Sequence, residues 1–442
     1  MEIQKTLRLA IPLIIGELSQ VVLHIIDMAM VGGLGYKHLA AASLVFNVLN
    51  IPLVLGIGIA MAVAQTVSMA NGRRDGWLVS HYFFNGIVLC LITATIIAVG
   101  MELSNGILFH LGQDETVAAL AVPFMRVMCV SIIPMLLFIA LQQFTDGLER
   151  TRTAMLISVA ALPLNVIINW LLIYGNLGFP RLGLQGAAWG TLITRVVVCA
   201  AMVLVILFAP FYRRYMAVWR SQWKVSGKTM RELLYIGIPT SLQVTMESGA
   251  FAVSAILVGT MGAVSLAAHQ IAMSCMSFTF IFSMGLAGAG SIRTSNAYGA
   301  ADWRRVFIIG KGTLQIALVF GLICVAVFLL SRNILPLAFN NTAQVISLSS
   351  TLILFAAIMQ VPDAIQANAA GLLRGIKDVY VPTGSIAVAY WVMGLPCGYY
   401  LSFHLHMGPI GIWLGFIIGL SVSSLLLTLR FFRMERRQQL QL

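Results

Sequence analysis

The chain reads as long apolar runs separated by short polar breaks. Twelve runs of about 20 residues or more can be drawn, near 7–31, 39–69, 79–101, 117–142, 154–174, 186–210, 232–258, 264–291, 306–330, 343–372, 378–403 and 408–430. Each is long enough to cross a bilayer as one helix. The pattern is also duplicated. Ile11 to Asp75 returns without a gap as Ile238 to Asp302: Ile11-Pro12 falls on Ile238-Pro239, Val31-Gly32 on Val258-Gly259, Gly35 on Gly262, and Leu39-Ala40-Ala41 on Leu266-Ala267-Ala268. Gly58, Ala60, Ala62, Ser68, Gly72 and Asp75 keep the register onto Gly285, Ala287, Ala289, Ser295, Gly299 and Asp302. Apolar residues would match by chance, but proline, glycine and aspartate in one register would not, so the unit is duplicated.

Six spans per repeat send both halves into the membrane the same way up, as parallel repeats about a pseudo-twofold along the membrane normal. The expected fold is therefore all-α and integral to the membrane, with 12 transmembrane helices in two parallel six-helix repeats. An N-lobe covers 1–210, a basic cytoplasmic linker 211–231, a C-lobe 232–430 and a cytoplasmic tail 431–442. The second and eighth runs exceed what a bilayer needs and are expected to tilt or bend, Pro52 giving the second a cause.

Composition agrees: 60% of residues are hydrophobic, 10% are charged and the mean hydropathy is +0.93. The net charge of +12 raises a nucleic-acid partner, and its distribution removes one. Most of the 27 Lys and Arg fall on one side of the twelve-span scheme, while Lys37, Arg181 and Arg332 stand opposite. By the positive-inside rule both termini are cytoplasmic. Arg126 and Arg195 remain inside spans, neither of them in a recognised polar stripe. The linker carries Trp219 and Trp223 among its cations, which suits anionic headgroups. All six cysteines lie in apolar spans without a CxxC pair, so free thiols are expected, with no metal site and no cofactor. No cleavable signal peptide is evident, because the first span is too long for one and no small-residue cleavage site follows.

A charged side chain near the bilayer centre costs at least about 2.5 to 3.5 kcal/mol, so each one needs a reason. Glu17 and Asp27 lie in the first span, Glu247 in the seventh and Asp363 in the tenth. Glu17, Gln20, His24 and Asp27 fall within roughly 80 degrees of one helical face, a polar stripe. Asp27 leads as a functional acid; His24 reads as an interhelical histidine. Thr240, Gln243 and Glu247 share a face in the seventh span after Pro239, and Glu247 falls on Gln20 in the repeat. In the tenth span Gln360 and Asp363 are a turn apart, with Pro362 freeing a carbonyl a turn earlier. Two kinked helices with one carboxylate each suit a hard cation or a proton. Asn165 and Asn169, after Pro163, and His269 and Gln270 are weaker candidates. Bending is expected at Pro12, Pro239 and Pro362.

Several ordered stretches resemble the multidrug and toxic compound extrusion (MATE) transporters, most closely their NorM-like bacterial branch. They are Val31-Gly32-Gly33 after Asp27, Phe144-Thr145-Asp146-Gly147, Leu164-Asn165 through Asn169-Trp170 to Tyr174-Gly175, Ala267-Ala268-His269-Gln270, Asp363-Ala364-Ile365-Gln366, Ala370 to Gly375, and Trp413 to Leu420. The resemblance covers nearly the whole chain. It implies a V-shaped pair of six-helix lobes in a bacterial cytoplasmic membrane; nothing in the sequence indicates an obligate interface, so a monomer is expected. The resemblance further implies export of cationic or amphipathic drugs in exchange for Na+ or H+. Asp27 would be the N-lobe carboxylate, with Asn165 and Asn169 beside it, and Glu247 and Asp363 would form a C-lobe cation site able to hold Na+. From the residues themselves, Gln20 and Glu17 of the first-span stripe are added to the expected substrate and proton site, and Gln270 to the cation site. Where sodium-coupled relatives often present a tyrosine one turn before the tenth-helix aspartate, this chain has Met359, and Glu17 is unusual for the family. The alternatives are a lipid-linked oligosaccharide flippase of the same superfamily, which calls for cations in the cavity, a major-facilitator transporter, and an intramembrane enzyme. The loop from Ala70 to Asp75 lacks the major-facilitator signature, and no HExxH or GxSxG motif supports an enzyme.

Overall fold

The computed structural model describes residues 2–110, 114–221 and 224–439, with the side chains of 217–221 and 435–439 left aside. Trp223 and the side chain of Trp219 therefore lie outside the described residues. Among those described, 12 helices are long and apolar enough to cross a membrane. The first six are α1 (Glu2–Gly32), α2 (Tyr36–Gly72), α3 (Gly76–Leu103), α4 (Glu115–Gly147), α5 (Thr151–Tyr174) and α6 (Leu184–Phe208). A short helix, α7 (Pro210–Ser221), precedes α8 (Gly227–Gly259), α9 (Ala263–Gly299), α10 (Trp303–Ser331) and α11 (Ala343–Gly375). The eleventh span begins as α12 (Tyr380–Ala387), loosens into a π-helical stretch at Val388–Gly394, tightens as α13 (Leu395–Tyr399) and ends π-helical at Tyr400–His404. α14 (Pro409–Gln439) closes the chain, so most of the expected tail is helical.

The duplicated residues set the helix boundaries. Gly35 and Gly262 precede α2 and α9 with φ of 121° and 112°, a backbone that side-chain-bearing residues rarely adopt. After α2 and α9 the chain reverses at Arg74 and Ala301, with φ of 58° and 57°. Asp75 and Asp302 then cap α3 and α10, accepting from Leu78 N and Arg305 N, both at 2.9 Å. Each cap satisfies an amide that the first helical turn leaves without a partner. α1, α2, α8 and α11 run through Pro12, Pro52, Pro239 and Pro362 without ending.

The expected linker is largely helical. α7 turns Tyr212, Tyr215 and Met216 inward, and Ser80 Oγ donates to Tyr215 O at 2.8 Å. The Phe211 ring packs beside Tyr212 and Tyr215, and the guanidinium groups of Arg150 and Arg214 cover it at 4.3 and 4.9 Å. Such an amphipathic helix suits the headgroup layer.

The chain divides into two compact units, one of Ile15–Ser241 and one of Met1–Ile14 with Leu242–Leu442. The divide thus falls inside α1 and α8, where the sequence reading had drawn it at the linker. The two breaks are register-equivalent, because Ile14 falls on Ser241 in the repeat. Close packing explains them. A Cβ at Gly285 would overlap Ile14, and one at the equivalent Gly58 would overlap Ser241. Ser241 Oγ also donates to Leu55 O in α2 at 2.7 Å. Each bare glycine draws in the early turns of the opposite repeat's first helix. Arg293, buried in α9, fixes the start of α1 further by binding Glu2 and Thr6. Each unit has its own apolar core, around Phe124, Met128 and Ile132 in one and around Trp413, Phe416 and Phe431 in the other.

Candidate functional site

Within the unit Ile15–Ser241, a cavity of about 210 Å³ opens between α1, α4, α5 and α6. Glu17 and Gln20 of the first-span stripe face it, together with Gln142, Gln143, Asn165 and Arg195. Asp27 is buried just behind this wall. Asn169 Nδ2 donates to Asp27 Oδ1 at 2.6 Å and to Asn165 Oδ1 at 3.1 Å, and Thr191 Oγ1 lies 3.4 Å from Asp27 Oδ2. Asn165 and Thr191 also line the cavity, so a ligand there reaches the acid through its own hydrogen-bond partners. Gly190 makes this cluster possible: a Cβ there would overlap the Asn169 amide. His24 stands apart, its ring edge-on to Phe46 at 4.7 Å.

Asn165 and Asn169 therefore lie in one hydrogen-bonded cluster with Asp27, and three contributors were missed. Thr191, Thr194 and Arg195 share a face of α6 at helical spacing, a polar stripe that is easily passed over because two of its members are hydroxyls. This corrects the reading of Arg195 as lying outside any stripe. Arg126, the other cation that the apolar runs place within a span, is exposed and pairs with Glu102 at 3.2 Å, away from the cavity.

Within the unit that contains Leu242–Leu442, a cavity of about 200 Å³ holds Glu247 and Asp363 in one wall. Apart from Ser248 and Ser277, the rest of the lining is soft and apolar, with Val244, Phe251, Met273, Met276, Phe280 and Met284. Gln366 Nε2 donates to Glu247 Oε1 at 2.6 Å, and Tyr390 donates its hydroxyl to Gln366 Oε1 at 3.1 Å. Tyr390 belongs to the π-helical stretch after α12, which turns its ring toward α11. Gln270 is exposed and does not line this cavity, so the structure does not bring it to the two acids. Its place as a polar partner is taken by Gln366, visible in the Asp363-Ala364-Ile365-Gln366 stretch, and behind it by Tyr390. Met359 is fully buried in the apolar core, and His269 packs against Trp413 at 5.7 Å. Pro362 lies one residue before Asp363, inside a continuous α11.

The MatE family model matches residues 12–171 and 239–400, once in each repeat. A probable multidrug resistance protein NorM of Rhizobium meliloti is 34% identical over 98% of this chain and 93% of its own length. A multidrug resistance protein NorM of Vibrio cholerae is 32% identical over 99% of this chain and 96% of its own. Among solved structures, a Vibrio cholerae MATE transporter superposes with a TM-score of 0.89 at 18% identity, covering 99% of this chain and 97% of that one. An outward-facing multidrug resistance MATE family transporter gives a TM-score of 0.88 at 22% identity, with 98% and 96% covered. The fold recurs in these structures, and the sequence match extends through both repeats: the chain belongs to the MatE family of multidrug efflux transporters, in its NorM-like branch.

Proposed function

We propose that the protein is a secondary active antiporter that exports cationic and amphipathic compounds in exchange for Na+ or H+ by alternating access. The observation that carries this reading is the pairing of Glu247 and Asp363 in one cavity walled by methionine and phenylalanine. Two acids attract a cation, and methionine adapts its shape to varied apolar bodies. The relatives' description as multidrug resistance proteins supports the same reading.

Coupling follows from competition for the acids. A carboxylate is costly to enclose at membrane depth unless a cation, a proton or a hydrogen-bond donor meets its charge. With a cavity open outward, the ion entering down its gradient displaces the compound. An empty, charged acid disfavours closure, so only occupied states interconvert. Pro12 and Pro239 precede the points where α1 and α8 pass from one unit to the other, and they serve as hinges, with Pro362 beside Asp363 as a third. Both termini are cytoplasmic, and the protein works as a monomer.

A flippase for lipid-linked oligosaccharide would need several cations to meet a pyrophosphate. Among the described residues, the two cavities present Arg195 against Glu17, Glu247 and Asp363. The deciding experiment is efflux of a fluorescent organic cation from proteoliposomes under an imposed sodium gradient and then under an imposed pH gradient. Wild type should transport under at least one of them. Asp27→Asn and Asp363→Asn should insert and fold but lose coupled export. Wild-type rates in both variants would refute the assigned roles, and no transport by wild type under either gradient would favour the flippase.

A further inference from the structure

The last turn of α4 carries an acid, Asp146, that lines neither cavity. It is 1% exposed, and neither of its carboxylate oxygens meets a hydrogen-bond donor in good geometry among the described residues. The end of a helix also disfavours negative charge, because the macrodipole already places partial negative charge there. A structural carboxylate at this burial would be held by donors, since enclosing an unmet charge is costly. One kept without them is suited to carrying a proton.

Polar groups from two places in the Ile15–Ser241 unit come near it. One turn earlier on α4, Gln142 lines the cavity together with Glu17; the Gln142 amide lies beside Asp146, and Glu17 is within electrostatic reach of it. At about 1.5 Å of rise per residue, Asp146 stands roughly 6 Å beyond Gln142, toward the end of α4 that the proposed orientation puts at the cytoplasm. There α7 brings Tyr212 within electrostatic reach of Asp146 and of Arg150, the residue before α5. The Tyr212 ring lies 6.0 Å from that of Phe144, two residues before Asp146. Tyr212 is buried, but its hydroxyl lies 3.3 Å from Thr153 Oγ1, and Thr153 is partly exposed. α2 meets the same turn at Gly147 with Ala64 and Val67, which bring no charge.

We propose that Asp146 is the inner station of a proton path: a proton taken up in the cavity passes from Glu17 to Asp146, through water held by the Gln142 amide, and leaves to the cytoplasm by way of the Tyr212 and Thr153 hydroxyls. Each transfer breaks one O–H bond and forms another, so no further reactant is needed. A water suits the first gap because two carboxyls and an amide give it the partners that a buried water requires. Hydroxyls suit the second because each can donate and accept at once. Neither Asp146 nor Tyr212 lines the cavity, so proton release is separated from the place where the exported compound binds. The proposal rests on the antiport reading and gives its proton a route.

The test compares two activities of the full-length protein in proteoliposomes loaded with the pH dye pyranine. The first is net ethidium transport driven by an imposed pH gradient, with the accompanying proton flux. The second is exchange of ethidium for isotope-labelled ethidium at equal pH on both sides, which needs binding and alternation but no proton release. In Asp146→Asn the net rate and the proton flux should fall by about 100-fold or more, the low end of what a positioned proton-transfer group contributes, while exchange stays near wild type. Asp146→Glu should restore much of the net rate. Tyr212→Phe keeps the ring packing and loses only the hydroxyl, so it carries the test even if Asp146→Asn does not fold; its net rate should fall more than its exchange rate. A purely structural role would lower both activities in proportion. That result, or wild-type net transport in Asp146→Asn, or an unchanged ratio of net to exchange rate in Tyr212→Phe, overturns the proposal. Wild type driven by a sodium gradient alone, without a pyranine signal, overturns the path and leaves antiport standing, whereas wild type without exchange or transport under either gradient defeats both.

Discussion

Gly190→Ala tests whether the environment of Asp27 is set by helix packing. The added methyl group would overlap the Asn169 amide, whose Nδ2 donates to Asp27 Oδ1 at 2.6 Å. The amide has little room to yield, because Asn169 is completely buried and also bonds to Asn165. Displacing it removes a hydrogen bond to a charged acceptor, worth about 1.5 to 3 kcal/mol, or roughly 10- to 150-fold in any step that needs the charged acid held in place. Initial rates of organic-cation efflux in proteoliposomes should fall within that range. Thermal melting of the detergent-purified variant separates a site defect from a folding defect. A double-mutant cycle gives the sharper test. If the methyl group acts through Asn169, Gly190→Ala should add little in an Asn169→Ala background. Additive losses, or unchanged efflux in the single variant, would refute the chain of contacts from Gly190 to Asp27.

Arg293→Met should destabilise the protein by about 1 to 3 kcal/mol, since the buried guanidinium's hydrogen bonds to Glu2 and Thr6 are lost while the part-exposed Glu2 keeps Lys5; chemical denaturation of the detergent-solubilised protein measures it. Gly285→Val should cost about 1 to 3 kcal/mol through its clash with Ile14 and should slow transport, because it disturbs the turns just after Pro12, whereas a silent substitution would remove that contact from the hinge. Asp302→Ala should cost about 0.5 to 2 kcal/mol through loss of the α10 cap, with a matching loss for Asp75→Ala at the equivalent position. Gln366→Leu should reduce coupled export more than Gln270→Leu, because Gln366 touches Glu247 and Gln270 does not line the cavity; the reverse order of rates would restore Gln270 to the site.

Much of this architecture was legible in the chain. Apolar runs gave the twelve spans because bilayer thickness fixes helix length and unpaired backbone groups are intolerable in hydrocarbon. The repeat was legible because its glycines and aspartates serve positive-φ turns and helix caps, which depend on local backbone chemistry. Asp27, Glu247 and Asp363 stood out because charge within an apolar run is costly wherever it points.

Which residues meet across helices was decided by packing. Gln366 and Tyr390 come together only because α11 and the loosened eleventh span meet at one depth, and no spacing within either segment announces it. Gln270 and Arg195 were misjudged for a related reason: polarity says that a residue needs a partner, while helix rotation and crossing decide whether it faces a cavity. The boundary of the two units likewise lies inside α1 and α8 and not at the basic linker, because Gly58 and Gly285 allow close helix crossings whose partners lie in the other repeat's first helix. The sequence by itself determined the spans, their duplication and the acids that needed an explanation. Only the tertiary structure decided their company, because side-chain contacts between helices depend on rotation and approach distance, which hydrophobic periodicity leaves open.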